Sequence, residues 1–269
     1  MSSAGNVASP NQRAFPSHPC VDRYFPSASA EECRSRLMRV IERADGPALV
    51  IGAPGIGKTM LMNVLAGSLA DRLDVVSITS TQLCTRRALL QAILFGLGLP
   101  YAQREEGELR LALVERLRDQ PADRAGVALL IDEAQALPIR LLEELRVLTN
   151  TVRNGQPVLR LVLAGSSALE EQFASTELES FNQRLAARCY LAPLSYQETH
   201  QYVRAHVAAA GANPDELFAT AALDCIYTAC DGVPRLVNQL CDRAILLAVD
   251  RGVESIGEPL VQEAWSDLH

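Results

Sequence analysis

Eight consecutive residues constrain this chain more than any others. Gly52-Ala53-Pro54-Gly55-Ile56-Gly57-Lys58-Thr59 follows the apolar run Ala48-Leu49-Val50-Ile51 and precedes Met60 to Leu73, which reads as a helix. The spacing is G-x-x-x-x-G-K-[ST] in a strand, loop, helix context. Glycines there let successive backbone N–H groups turn inward on anionic oxygens, and the helix N-terminus adds partial positive charge. Lys58 is placed to reach terminal phosphates and the Thr59 hydroxyl to ligate Mg²⁺, with Gly52 to Met60 as the binding segment.

Composition sharpens that reading at one position. Of the 25 basic residues, Lys58 is the sole lysine, the remainder being arginine. A chain that uses a planar guanidinium everywhere else keeps a compact, rotatable ammonium at the slot where phosphate chemistry asks for a point charge.

A second segment carries complementary chemistry. Val127-Ala128-Leu129-Leu130-Ile131 ends in Asp132-Glu133. A buried strand that ends in two acids delivers both carboxylates to its C-terminal edge, where open α/β sheets bind ligands. Asp132 is expected to hold Mg²⁺ through water, and Glu133 to polarise an attacking water.

The 269 residues, 48% hydrophobic, 21% charged and of net charge −7, fit a soluble globular chain of one large and one small domain. The acidic balance supplies no global field for polyanions or anionic lipid. No apolar stretch approaches the roughly 20 residues of a membrane-spanning helix. The start, MSSAGNVASPNQ, lacks a basic segment followed by an apolar one, which points to a cytoplasmic protein. Seven cysteines form no C-x-x-C pair and the histidines no metal spacing, so the thiols read as small core residues.

Along the chain, residues 1–19 read as an unstructured lead-in and Ala28 to Ala44 as a helix. Further strands are expected at Val75 to Ile78, Val127 to Ile131, Val158 to Ala164 and Cys189 to Leu191. Helices are expected over Thr85 to Leu97, Glu106 to Arg118 and Ile139 to Val152, with a turn from Pro121 to Gly126 and Asn154-Gly155 as a helix cap. Another helical patch contains Leu178 to Ala187, and helices fill the chain from Ser195. Strands alternating with helices predict an α/β fold with a parallel five-stranded sheet, over 20–192, and a helical domain over 193–269.

The phosphate loop, DEAQAL (Asp132 to Leu137), LAPLSYQET (Leu191 to Thr199) and DGVPRLVNQLCDRAILLA (Asp231 to Ala248) together resemble the AAA+ P-loop ATPases of the general secretion pathway protein A branch, over about residues 20–250. The resemblance implies an ASCE-type core with a helical lid, bound ATP and Mg²⁺, and activity as a ring or other homo-oligomer. It implies a sensor-2 role for Arg235, an arginine finger at Arg184 or Arg188, and a sensor-1 role for Ser166 or Ser167. Two departures stand out: Gly165-Ser166-Ser167 replaces the usual G-Q-P, and Met60 replaces a threonine often found after the loop threonine.

Three functional classes are compatible with this resemblance. The first is an ATPase driving assembly or remodelling of a cell-envelope secretion or pilus machine, with a protein partner there. The second is an ATP-dependent, DNA-binding regulator of transposition of the TnsC or TniB kind. For this class Arg34, Arg36, Arg39 and Arg43 are the candidate phosphate contacts, diluted by Glu31, Glu32 and Glu42. The third is a nucleotide-gated scaffold or signalling switch.

Overall fold

The computed structural model describes residues 13–79, 83–119, 121 and 124–268. The described residues divide into two compact units, one drawn from residues 28–54 and 61–191, the other from residues 13–27, 55–60 and 192–268.

The larger unit is built on a five-stranded parallel sheet. β1 (Ala48–Ile51), β2 (Asp74–Thr79), β3 (Val127–Asp132), β6 (Leu159–Gly165) and β7 (Ala187–Tyr190) run in the order β2-β3-β6-β1-β7. β1, β3 and β6 are buried at every position. That accounts for their continuous apolar runs, because a parallel strand covered on both faces has no solvent side on which to alternate. Register aligns the C-terminal ends: Ile51 pairs with Gly165, Leu163 with Ile131, and Asp132 with Thr79.

Helices cover the sheet with amphipathic faces. Along α1 (Ala28–Arg43) the buried residues are Cys33, Leu37, Val40 and Ile41, at the i, i+4, i+7, i+8 spacing of one helical face. α2 (Lys58–Leu69) follows β1, α3 (Arg86–Gly96) and α4 (Glu106–Arg118) follow β2, and α5 (Ile139–Leu148) follows β3. Thr85 caps α3 by accepting from the Ala88 N–H at 3.1 Å. Leu89, Leu90, Ile93 and Leu94 of α3 join Leu129, Ile131 and Leu161 in one core.

The structure departs from the sequence reading after α5. That helix ends at Leu148, and β4 (Val152–Arg153) pairs antiparallel with β5 (Gln156–Pro157) around Asn154-Gly155. Both turn residues have positive φ, 52° and 77°, so the pair makes a two-residue hairpin turn rather than the expected helix cap. The two readings share one local signal, since Asn-Gly suits either use of the left-handed region. The patch expected to be helical around Leu178 to Ala187 holds only a short turn and α7 (Glu179–Asn182), and Ala187 already belongs to β7. The expected Pro121 to Gly126 turn lies partly outside the described residues.

The smaller unit is helical. α8 (Tyr196–Ala209), α10 (Thr220–Cys230), α11 (Pro234–Arg251) and α12 (Glu258–Leu268) surround a core of Val203, Leu223, Ile226, Val237, Leu240 and Val261; a short α9 (Pro214–Leu217) joins α8 to α10. Ser195 opens α8 with a reciprocal capping box to Glu198. Ala14 and Phe15 are each 1% exposed in this core, so the expected unstructured lead-in does not hold at those residues; residues 1–12 lie outside the described ones. Of the cysteines, Cys33, Cys189, Cys230 and Cys241 are buried, whereas Cys84 is exposed and departs from the core reading.

His206 sits inside this helical core. Its ring stacks on Phe15 at 5.6 Å between centroids, packs on Tyr202 and donates from Nδ1 to the Tyr202 carbonyl at 3.0 Å. Burial pushes its pKa down to about 4, against about 6.5 in an unfolded chain. Between those values the unfolded chain binds the extra proton, so native stability falls as pH drops through that window. From pH 7 to pH 4.5 the wild type is expected to lose about 2–3 kcal/mol more than His206→Phe, which keeps the ring stack. Urea melts of both proteins at the two pH values check this; equal losses would exclude His206 as the source.

Candidate functional site

The phosphate loop leaves β1 at the C-terminal edge of the sheet. The Gly52 N–H donates to the Gly165 carbonyl at 3.1 Å, and the Leu191 N–H donates to the Ile51 carbonyl at 2.8 Å, so the root of the loop is fixed by both strands that flank β1. Gly55 and Gly57 have φ of 83° and 110°, a region that L side chains rarely adopt. Ile56 is buried, and Ala53, Pro54 and Thr59 are exposed. Lys58, the first residue of α2, is only 6% exposed. Met60, in the same helix, is half-buried.

Arg235 is brought to this loop by the local structure of the smaller unit. Asp231 caps α10 in the left-handed conformation and Gly232 follows at φ 68°. A Cβ on Gly232 would lie 1.9 Å from the Leu194 carbonyl oxygen, so only glycine fits. Pro234 then starts α11, where its missing N–H costs nothing. The Arg235 N–H donates to the Gly55 carbonyl at 3.2 Å, and a Cβ on Gly55 would meet the Arg235 Cβ at 2.9 Å. Glycine at 55 thus permits both the loop conformation and the approach of the arginine.

Asp132 is the last residue of β3 and Glu133 the first beyond it. Asp132 is 8% exposed, and its Oδ1 accepts from the Glu133 N–H at 2.9 Å. Glu133 is half-buried with φ 53° and ψ 37°, a left-handed conformation that costs a non-glycine residue about 1–2 kcal/mol. Strain of this kind concentrates at functional positions. Gln135, which the sequence reading did not single out, donates from Nε2 to Glu133 Oε2 at 2.6 Å. The available signal was an amide two residues beyond the second acid.

Ser166, the residue directly after β6, donates its N–H to Gln135 Oε1 at 3.2 Å. Ser167, exposed, is the first residue of α6 (Ser167–Phe173). Arg188 lies on β7, bonded to Asn182 Oδ1 and 3.8 Å from Glu170. Arg184 is exposed in the loop before β7 and bonds Asn150 Oδ1. Both arginines thus have partners inside the larger unit.

Within the smaller unit, residues 55–60 offer a turn with positive φ at Gly55 and Gly57, the shielded ammonium of Lys58 and the exposed hydroxyl of Thr59, groups whose chemistry suits anionic phosphate oxygens and a hard divalent cation. The larger unit carries its own hard donor, the strand-end carboxylate of Asp132. Among the described residues no group of three or more His, Cys, Asp or Glu side chains could hold a metal by itself. Mg²⁺ commonly takes one or two protein oxygens and completes its shell from phosphates and water.

Comparison with known proteins identifies the family and the fold. The AAA domain family matches residues 39–173. The chain is 34% identical to general secretion pathway protein A of Aeromonas hydrophila over 230 residues, 84% of this chain and 41% of that protein. It is 34% identical to the ATP-dependent target DNA activator B of Escherichia phage D108 over 130 residues, 48% of this chain and 38% of that protein. The chain therefore spans about two fifths of the length of these curated relatives. Among solved structures, the Aeropyrum pernix ORC2 protein superposes with a TM-score of 0.71 at 17% identity, over 94% of this chain and 71% of that one. The Thermotoga maritima RuvB Holliday junction branch migration motor gives 0.59 at 21%, over 88% and 69%. These structures share the fold: a parallel P-loop sheet flanked by helices.

Proposed function

This chain belongs to the AAA domain family, and from that premise we propose that it binds and hydrolyses ATP with Mg²⁺ as a homo-oligomer, driving assembly or remodelling of a cell-envelope secretion or pilus-type machine. The observation that carries the ATPase reading is the phosphate loop, with its shielded Lys58 and its Gly55 held to the backbone of Arg235. The loop N–H groups and Lys58 take the phosphates, Arg235 senses the terminal one, and Thr59 and Asp132 hold the metal. Mg²⁺, when bound, neutralises phosphate charge. Glu133 accepts the proton of the attacking water as it adds to the γ-phosphorus; the bond to the bridging oxygen breaks and ADP leaves. Ser166 or Ser167 serves as sensor 1.

The envelope role is supported by the identity to general secretion pathway protein A. No described helix is long and apolar enough to cross a membrane. A second reading, an ATP-dependent DNA-binding regulator of transposition, is supported by the identity to the phage DNA activator, and duplex DNA is its partner. ATP-stimulated binding to duplex DNA that weakens steeply with salt would select this second reading, and no binding at low salt would remove it.

In an oligomer Arg184 or Arg188 completes the neighbouring subunit's site, as an arginine finger supplied in trans. The test mixes Arg184→Ala or Arg188→Ala subunits with Glu133→Gln subunits, each inactive alone. Recovery of turnover is expected for one of the two arginine variants, because the lesions then fall on opposite sides of one interface. No recovery with either would reject a finger acting between subunits.

A further inference from the structure

Gln135 forms a bridge that the ATPase reading does not account for. It sits in the one-turn 3₁₀ segment Ala134–Ala136 directly after Glu133. Its Nε2 donates to Glu133 Oε2 at 2.6 Å, and its Oε1 accepts from the Ser166 N–H at 3.2 Å. Its own carbonyl accepts from Gln172 Nε2 on α6 at 3.2 Å, which pins the backbone beneath the bridge. Two partners fix the amide orientation, since a carboxylate only accepts and a backbone N–H only donates.

The surroundings are shaped to this contact. A Cβ on Gly165 would stand 2.7 Å from Gln135 Oε1, so a larger residue at the end of β6 would push the amide away. Few side chains could replace glutamine here. Glutamate keeps the acceptor for Ser166 but sets an anion against Glu133, methionine keeps the length and loses both bonds, and asparagine is one methylene short.

We propose that Gln135 is the positioning residue for Glu133: its amide holds the carboxylate in place and ties it to the end of β6, so that a shift of Ser166 is passed to the base through one side chain. This rests on the ATPase reading of the site. Glu133 is the residue that meets the attacking water; Gln135 acts through it, and also through the strained backbone on which Glu133 sits. It follows that a change at Ser166 on nucleotide binding alters turnover without a change in affinity.

The test compares Gln135→Met and Gln135→Glu with wild type in the full chain. It measures steady-state ATP hydrolysis, ATP affinity by calorimetry and hydrogen exchange at the Ser166 amide by NMR. In both variants kcat is expected to fall about 10- to 100-fold while KM and ATP affinity stay within about twofold of wild type. Ser166 exchange is expected to accelerate about tenfold in Gln135→Met and to stay near wild type in Gln135→Glu, which retains the acceptor. A purely structural role would instead raise exchange throughout the core in both variants, and that result overturns the proposal. So does wild-type kcat in Gln135→Met, or Ser166 exchange unchanged there. If Gln135→Met does not fold, Gln135→Glu decides: a wild-type rate overturns the proposal, and loss of turnover with Ser166 still protected supports it. Failure of the underlying reading looks different, because there the wild type itself does not hydrolyse ATP, and both readings fall together.

Discussion

Glu133→Gln is expected to bind ATP as tightly as wild type and to hydrolyse it about 10²- to 10⁴-fold more slowly, the usual contribution of a positioned general base. The substitution keeps size and polarity but removes the proton acceptor. Gln135 Nε2 now donates to Glu133 Oε2 at 2.6 Å, and the new amide still offers an oxygen to that donor. Local geometry is therefore retained and the loss falls on chemistry. Single-turnover hydrolysis alongside equilibrium ATP binding measures both quantities. Turnover at the wild-type rate would reject Glu133 as the base and move attention to another acid or to water alone.

Lys58→Ala is expected to weaken ATP binding about 10- to 100-fold. A hydrogen bond to a charged group contributes about 1.5–3 kcal/mol, and each 1.4 kcal/mol is tenfold in affinity. Lys58→Arg is the more telling companion. Twenty-four positions in this chain carry arginine and one carries lysine, so arginine is readily used wherever a fork of donors is wanted. Lys58 is 6% exposed at a helix start, and a bulkier planar guanidinium differs in shape and hydration from a compact ammonium, so arginine is expected to rescue little of the lost affinity. Calorimetry with Mg²⁺ present checks both variants. Affinity restored by arginine would show that charge alone is used at this position.

The parallel sheet was legible in sequence because its inner strands are covered on both faces. Leu129, Leu130 and Ile131 leave no polar residue to blur the signal, and the glycine-rich loop after Ile51 marks where the strand stops. The family was legible for a different reason: its motifs are short and local. The hairpin around Asn154-Gly155 was not, because a left-handed Asn-Gly pair ends a helix as readily as it turns a hairpin, and only the pairing of Val152 with Pro157 decides between them. Phe15 was hidden by its neighbours. A single aromatic in a polar, proline-containing stretch gives no periodicity, and its place against His206 comes from residues some 190 positions later. Gln135 was missed because hydrogen bonding across strand ends has no sequence period; Ser166 is brought to it by the register of β3 with β6.

The shielding of Lys58 has a practical corollary for testing by covalent capture whether this protein self-associates. Amine-directed fixatives find among its side chains a single nitrogen, folded into the first turn of α2, and so leave the outer surface of a subunit almost untouched. Covalent capture of neighbouring copies has to run through carboxylates or the accessible thiol of Cys84, while an acylating label that does attach to a side chain reports on one address in the whole chain.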